Sequence, residues 1–179
     1  MSTHAVRFYE RDIFLIDHLV QFAKEGLDKG ETLLFVTTKD HRILLHRRLV
    51  NEGLIERLQL TKCVYLAMDV FDTLSRVMVD DWPDEELFIK EIGGMIKLIA
   101  KKTRIRIYGE MVAVLWAQGK YHAAICLEKL WNKLATQHDF ALLCGYPSSG
   151  FLGPEMQSLF QEVCACHSFV VSGLDSAHL

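Results

Sequence analysis

Strand-length apolar runs alternate with longer amphipathic stretches along the whole chain, and that alternation leaves few folds open. The run Thr32 to Thr38 reads Leu-Leu-Phe-Val between threonines, with no polar residue at every second position. A strand of that kind is covered on both faces, as in a parallel sheet held between helices. Comparable runs lie near residues 4–9, 62–67, 104–108, 140–145 and 168–172. Between the first two, Ile16, Leu19, Val20, Ala23 and Leu27 recur at helical spacing, and the pattern stops near Gly30. Asp40 is placed to cap a second helix reaching about Gly53. Residues Phe71 to Val79 read as irregular or partly helical. Pro83 opens another helix, with Asp84, Glu85 and Glu86 in its first turn and Lys97, Lys101 and Lys102 in its last turns, where each sign of charge suits the helix dipole. Helices from about Gln118 to Gln137 and Pro154 to Cys166 complete the pattern. The expectation is a three-layer α/β/α fold with a mainly parallel sheet, residues 1–179 forming one domain that binds its ligand at the carboxyl ends of the strands.

Charge narrows the partners. Twenty Lys and Arg against 23 Asp and Glu give a formal net charge of -3, so no general electrostatic excess draws the molecule to nucleic acid or to anionic membranes. The basic stretches Arg42 to Arg48 and Lys101 to Arg106 read as solvated helix faces and ends. No apolar run reaches membrane-spanning length, the first residues do not read as a secretory leader, and the five cysteines are odd in number and scattered. Those features point to reduced thiols and the cytoplasm.

The loop after the first strand is where a nucleotide-binding protein would hold phosphate. Here it reads Glu10-Arg11-Asp12. It lacks the glycines that let backbone amides approach phosphate and the Lys and Ser/Thr that hold it with magnesium, and it carries two acids instead. Weak or absent ATP binding is expected.

Several blocks then recur in a recognisable order: His4 with Tyr9; Phe22 and Gly26-Leu27-x-x-Gly30-Glu31; Arg106-x-x-Gly109-Glu110-Met111; Glu128 with Trp131-Asn132; Leu143-Cys144-Gly145-Tyr146-Pro147 with Phe151; and Cys164-x-x-His167. Over residues 4 to 172 this resembles the MEDS domain, the sensory domain of DcmR-type regulators, itself thought to derive from KaiC/RecA-like ATPases. The resemblance implies a RecA/KaiC-like fold with a degenerate phosphate loop. It also implies a ligand-sensing domain of prokaryotic signalling that responds to small organic, hydrocarbon-like compounds. Such domains are often fused to histidine kinases or DNA-binding helices. With no such module in this sequence, output is expected to pass to a separate signalling protein such as a histidine kinase or transcription regulator, and a homodimer is open.

Individual residues sharpen the expectation. Glu110 follows a buried strand near the position where an ATPase holds its metal, but Gly109 stands where an Asp would precede it, so a hydrogen-bonded acid organising a pocket is the preferred role. Glu128 lies on a helical face with Ala124, Trp131 and Ala135 and reads as a structural partner for an Arg such as Arg106, or for a backbone amide. Cys164, Cys166 and His167 invite a zinc reading, but no second ligand pair at zinc spacing accompanies them, so buried thiols and a satisfied histidine are preferred. His4 faces the side of its strand opposite Tyr9 and reads as structural. No catalytic motif, metal or cofactor is expected. The expected ligand site is a mostly apolar pocket at the carboxyl edge, lined by Tyr9, Arg11, Thr37, Met68, Glu110, Met111 and Tyr146. A divergent ATPase using Glu110 is the alternative, followed by an interaction scaffold acting on a kinase or transcription regulator.

Overall fold

A computed structural model of the protein describes residues 2–61 and 63–171. Its chain runs β1 (Thr3–Tyr9), α1 (Asp12–Asp28), β2 (Thr32–Thr37), α2 (Lys39–Asn51), α3 (Leu54–Gln59), β3 (Tyr65–Asp69) and α4 (Val70–Val77). A short hairpin of β4 (Met78–Val79) and β5 (Trp82–Pro83) follows. Then come α5 (Glu85–Phe88), a π-helical turn (Ile89–Gly93), α6 (Gly94–Ala100), β6 (Ile105–Gly109), α7 (Met111–Ala117), α8 (Tyr121–Ala135) and β7 (Phe140–Pro147). Two 3-10 turns, Ser148–Phe151 and Pro154–Met156, lead to α9 (Gln157–Ala165) and β8 (Phe169–Val170).

The main sheet has the order β3-β2-β6-β7-β1-β8, and every pairing in it is parallel. The connections β1 to β2 and β2 to β3 step one way across the sheet; β3 to β6, β6 to β7 and β7 to β8 step the other way. A single crossover hand then puts their helices on opposite faces. So it is: Leu33 and Phe35 pack with α1, α2 and α3, while Leu34 and Val36 pack with α4 through α9. The fold is therefore the three-layer α/β/α arrangement. All six residues of β2 are buried, which accounts for its unbroken apolar run, and each of its large side chains contributes about 1.5–3 kcal/mol by leaving water.

Local signals explain most boundaries. Helix α1 buries Leu15, Ile16, Leu19, Val20, Ala23 and Leu27, and Gly30 ends its turn at φ +70°, where an L side chain is strained. Two expectations are corrected. Thr38, not Asp40, caps α2: its side chain accepts from the His41 N–H, and Asp40 sits in the first turn. Pro83 belongs to the hairpin, and Asp84 caps α5 by accepting from the Leu87 N–H at 2.8 Å. The stretch after β3, expected to be irregular or partly helical, is helical through Val77, because the Asp69 side chain caps α4 by accepting from the Phe71 and Asp72 N–H groups. The turn that follows places both Asp80 and Asp81 at positive φ, the conformation a two-residue hairpin turn demands. Helix α7 occupies residues to which the sequence assigned no element. Residue 172, the expected end of the last strand, lies outside the described residues. Among the described residues no helix is long and apolar enough to cross a membrane.

Candidate functional site

The expected pocket residues all sit at the carboxyl edge but do not converge on one point. Tyr9 ends β1 and Met68 lies on β3, four strands away; at about 4.8 Å per strand that is about 19 Å, too far for one small ligand. They also divide between faces. Tyr9 packs on the α1–α2 side, and Thr37 follows Leu33 and Phe35 there by strand alternation. The Thr37 Oγ1 is buried without a hydrogen-bond partner among the described residues. Met68, Met111 and Tyr146 lie on the α4–α9 side. Arg11 is exposed, its guanidinium 5.3 Å from the Phe14 ring centre.

Glu110 organises the first of two polar centres, one on each face. Its Oε2 accepts from the Thr38 N–H at 2.6 Å, and its Oε1 meets His41 Nδ1 and accepts from the Tyr108 hydroxyl at 3.2 Å. His41 Nε2 reaches Asp12 at 3.4 Å. Burial opposes a charge on His41, but the hydrogen bond and charge of Glu110, with Asp12 behind, outweigh it and raise its pKa. Tyr9 is pushed up by burial and by the two carboxylates. The carboxylate thus ties β6 to α2, with its acceptors already in use.

Glu128 organises the other centre and is fully buried. The Tyr146 hydroxyl donates to its Oε1 at 2.8 Å; His4 Nε2 lies 3.1 Å from its Oε2; the Cys144 thiol lies 3.4 Å from the same oxygen. His167 Nε2 is 3.4 Å from Oε1, not aligned for a hydrogen bond. Burial raises the Glu128 pKa, but His167 and His4 outweigh it and hold the carboxyl well below the usual range. His167 is raised against its own burial by the Glu128 charge. Burial and the adjacent carboxylate push both Cys144 and Tyr146 well above their ordinary values.

Above this cluster, at the ends of β1 and β7, aromatic rings gather. Tyr146 faces Trp116 at 5.5 Å and Phe151 at 5.6 Å between ring centres, Trp116 stacks on Phe151 at 4.5 Å, and Phe8 touches Phe151 at 5.1 Å and Phe160 at 4.9 Å. The Trp116 indole donates to the Gly150 carbonyl at 2.8 Å, pinning the first 3-10 turn over the rings. A cleft of about 530 Å³ opens beside them, lined by Phe151, Gly153, Pro154, Gln157 and Phe160. Tyr146 therefore carries an apolar wall on one side and the hydrogen-bonded acid beneath it. Of these residues, the sequence reading placed only Tyr146 in the site. Strand alternation was the available signal for the rest: Phe140, Leu142, Cys144 and Tyr146 share a face, and the parallel register sets His4 beside Leu142.

The motif Phe22, Gly26, Gly30, Glu31 and Arg106 has a separate, structural job. Arg106 Nε donates to Glu31 Oε2 at 2.6 Å and its NH1 to Glu25 at 3.2 Å, while its guanidinium lies 4.7 Å from the Phe22 ring centre. Arg104 NH1 takes the other Glu31 oxygen at 2.9 Å. A Cβ on Gly26 would sit 2.5 Å from Leu33 Cδ2 and 3.0 Å from Arg106 Cδ. This corrects the expected pairing of Glu128 with Arg106, since those two groups are committed to different clusters on opposite faces of the sheet.

No curated protein matches the chain. The family model described as MEDS, the methanogen/methylotroph, DcmR sensory domain, matches residues 3–168, which take in both polar centres and the aromatic cluster. The chain belongs to the MEDS sensory-domain family.

Proposed function

We propose that this domain senses a small, largely apolar organic molecule for prokaryotic signalling, without catalysis, at the aromatic end of β1 and β7. One observation carries the reading: five aromatic side chains, Phe8, Trp116, Tyr146, Phe151 and Phe160, form one cluster, of which Phe151 and Phe160 line an open cleft and Tyr146 reaches down to the buried Glu128. Apolar walls with a few convergent polar groups are what small-molecule sites consist of. Tyr146, fully buried and donating to Glu128, anchors the rings that wall the cleft. The two 3-10 turns covering the rings form a short element whose packing a ligand can change. The five free cysteines support a reducing, cytoplasmic setting.

A thermal-shift panel of small aromatic and aliphatic compounds tests the proposal. A ligand at a hundredfold excess over its Kd stabilises by about 2.7 kcal/mol, a rise of about 5–10 °C for a domain of this size. The rise should shrink in Phe151→Ala and Phe8→Ala. Unchanged affinity in both variants would place the ligand elsewhere.

A second reading, docking of a signalling protein such as a histidine kinase or transcription regulator, is favoured by a different surface. Helix α2 exposes Ile43, Leu44 and Val50, and a cleft of about 550 Å³ runs between it and edge strand β3, lined by Arg42, Ile43, Arg47, Val50, Tyr65 and Ala67. Ile43→Asp with Val50→Asp should leave ligand binding intact and abolish output if this surface transmits the signal.

A further inference from the structure

We infer that His4, Glu128, Cys144 and His167 form a binding site for one divalent transition-metal ion of the zinc class. One potential ligand atom from each residue lies within 4.8 Å of the others. A tetrahedral ion bound at about 2.0–2.3 Å holds its ligands about 3.3–3.7 Å apart. Here His4 Nε2 is 3.4 Å from Cys144 Sγ, and three further contacts to the Glu128 oxygens span 3.1 to 3.4 Å. His4 Nε2, Cys144 Sγ and Glu128 Oε2 thus already form one near-tetrahedral face, and His167 Nε2, which lies 3.4 Å from the other Glu128 oxygen, completes the set by a contraction of about 1 Å.

The outer contacts orient both imidazoles toward such an ion. Asn132 Nδ2 donates to the Cys166 carbonyl at 2.7 Å, which fixes the amide so that its Oδ1 accepts from His4 Nδ1 at 2.9 Å. His167 Nδ1 donates to the Val163 carbonyl at 2.6 Å. Each ring therefore commits its Nδ1–H to an outer acceptor and turns Nε2 inward, the arrangement that metal-bound histidines adopt. His167 Nε2 is buried with no hydrogen-bond partner among the described residues, and it is aimed into the cluster, 3.4 Å from a Glu128 oxygen. Charge closes as well: an ion of +2 with one thiolate, one carboxylate and two neutral imidazoles is neutral, which suits a site removed from water. The Cys144 proton and any proton on the imidazole Nε2 atoms leave to solvent as the ion binds. Two nitrogens, one sulfur and one oxygen suit zinc, with cobalt(II) as its spectroscopic substitute. The ligands come from β1, α8, β7 and the turn after α9, so the ion would pin the α9 end to the sheet whether or not the aromatic cleft takes an organic molecule.

The test is cobalt(II) titration of the chelator-stripped, folded domain. Expected are intense tetrahedral d–d bands and a thiolate-to-cobalt charge-transfer band that saturate together at one equivalent, bleach on adding zinc, and accompany a rise in Tm. Cys144→Ser should remove the charge-transfer band, and His167→Gln should weaken binding by about 100-fold or more. Asn132→Ala, which removes the outer partner of His4 and the bond to the Cys166 carbonyl beside His167, should weaken it by about 10- to 100-fold without changing the far-UV circular dichroism of the metal-free form. A wild-type domain that takes up no stoichiometric cobalt or zinc overturns the inference, whatever the variants do. So does uptake without the charge-transfer band, or uptake that Cys144→Ser and Asn132→Ala leave unchanged.

Discussion

Replacing Glu31 by Gln should destabilise the fold by about 3 kcal/mol while leaving the ligand site of the folded fraction intact. Both charges of the Arg106–Glu31 pair are buried, at 6% and 2% side-chain exposure, and removing one partner of such a pair costs about 3–5 kcal/mol because the other charge stays in the core. The low end applies because Arg106 keeps Glu25, whose side chain is 48% exposed and therefore a weak substitute. With a urea m-value of about 2 kcal/mol/M, the midpoint should fall by about 1.5 M. Adding Arg106→Met, which keeps the aliphatic packing on Phe22, removes the stranded charge and should recover most of the loss, so the double-mutant cycle shows a coupling of about 2 kcal/mol or more. A Glu31→Gln midpoint within about 0.3 M of wild type, or losses that simply add in the double variant, would refute the assignment of this motif to the fold rather than to the site.

Gly26→Ala, which at an exposed helical position would stabilise by up to about 1 kcal/mol, should here cost about 1–3 kcal/mol by overpacking against Leu33 and Arg106, as read from urea midpoints. The raised His41 pKa makes its pairing with Glu110 a source of stability that is complete below pH 6.5, the unfolded value, and lost as pH rises through the folded one. The stability difference between wild type and His41→Asn, followed by urea titration across pH, should accordingly shrink from pH 6 toward pH 9; a difference that grows would reverse the sign argument. Tyr146→Phe removes the hydroxyl that donates to buried Glu128 and should lower stability by about 1–3 kcal/mol, as read from urea midpoints; an unchanged midpoint would contradict the role of that bond.

Layer order and strand positions were legible in the sequence because a parallel sheet covered on both faces writes itself as short apolar runs, Thr32 to Thr37 most plainly. The misplaced caps share one cause: Asp40 and Pro83 are sound helix-start residues, but Thr38 and Asp84 stand where the backbone turns into helix. Helix α7 was missed because Met111 to Ala117 is apolar nearly all round, as a buried helix must be, and so shows no helical periodicity. The two polar centres were half visible. Glu110 and Tyr146 announce themselves by following buried strands, whereas His4, Glu128, Cys144 and His167 are far apart in sequence and meet only because β1 lies between β7 and β8. No spacing rule reaches across such a register; strand parity recovers His4 and Cys144 as neighbours but cannot aim a helix at them.

The most direct test of the sensing site is the indole N–H signal of Trp116 in a nitrogen-labelled sample titrated with benzene and short-chain alkanols. Trp116 donates to Gly150 and stacks on Phe151, so occupation of the aromatic cleft should move its resonance saturably at one ligand per chain. Trp82, half exposed at the hairpin, and Trp131, buried against Phe88, serve as internal controls and should stay still. A linear, unsaturating drift shared by all three signals, or a saturable change at residues around Glu110 and His41 with Trp116 unmoved, would contradict the assignment.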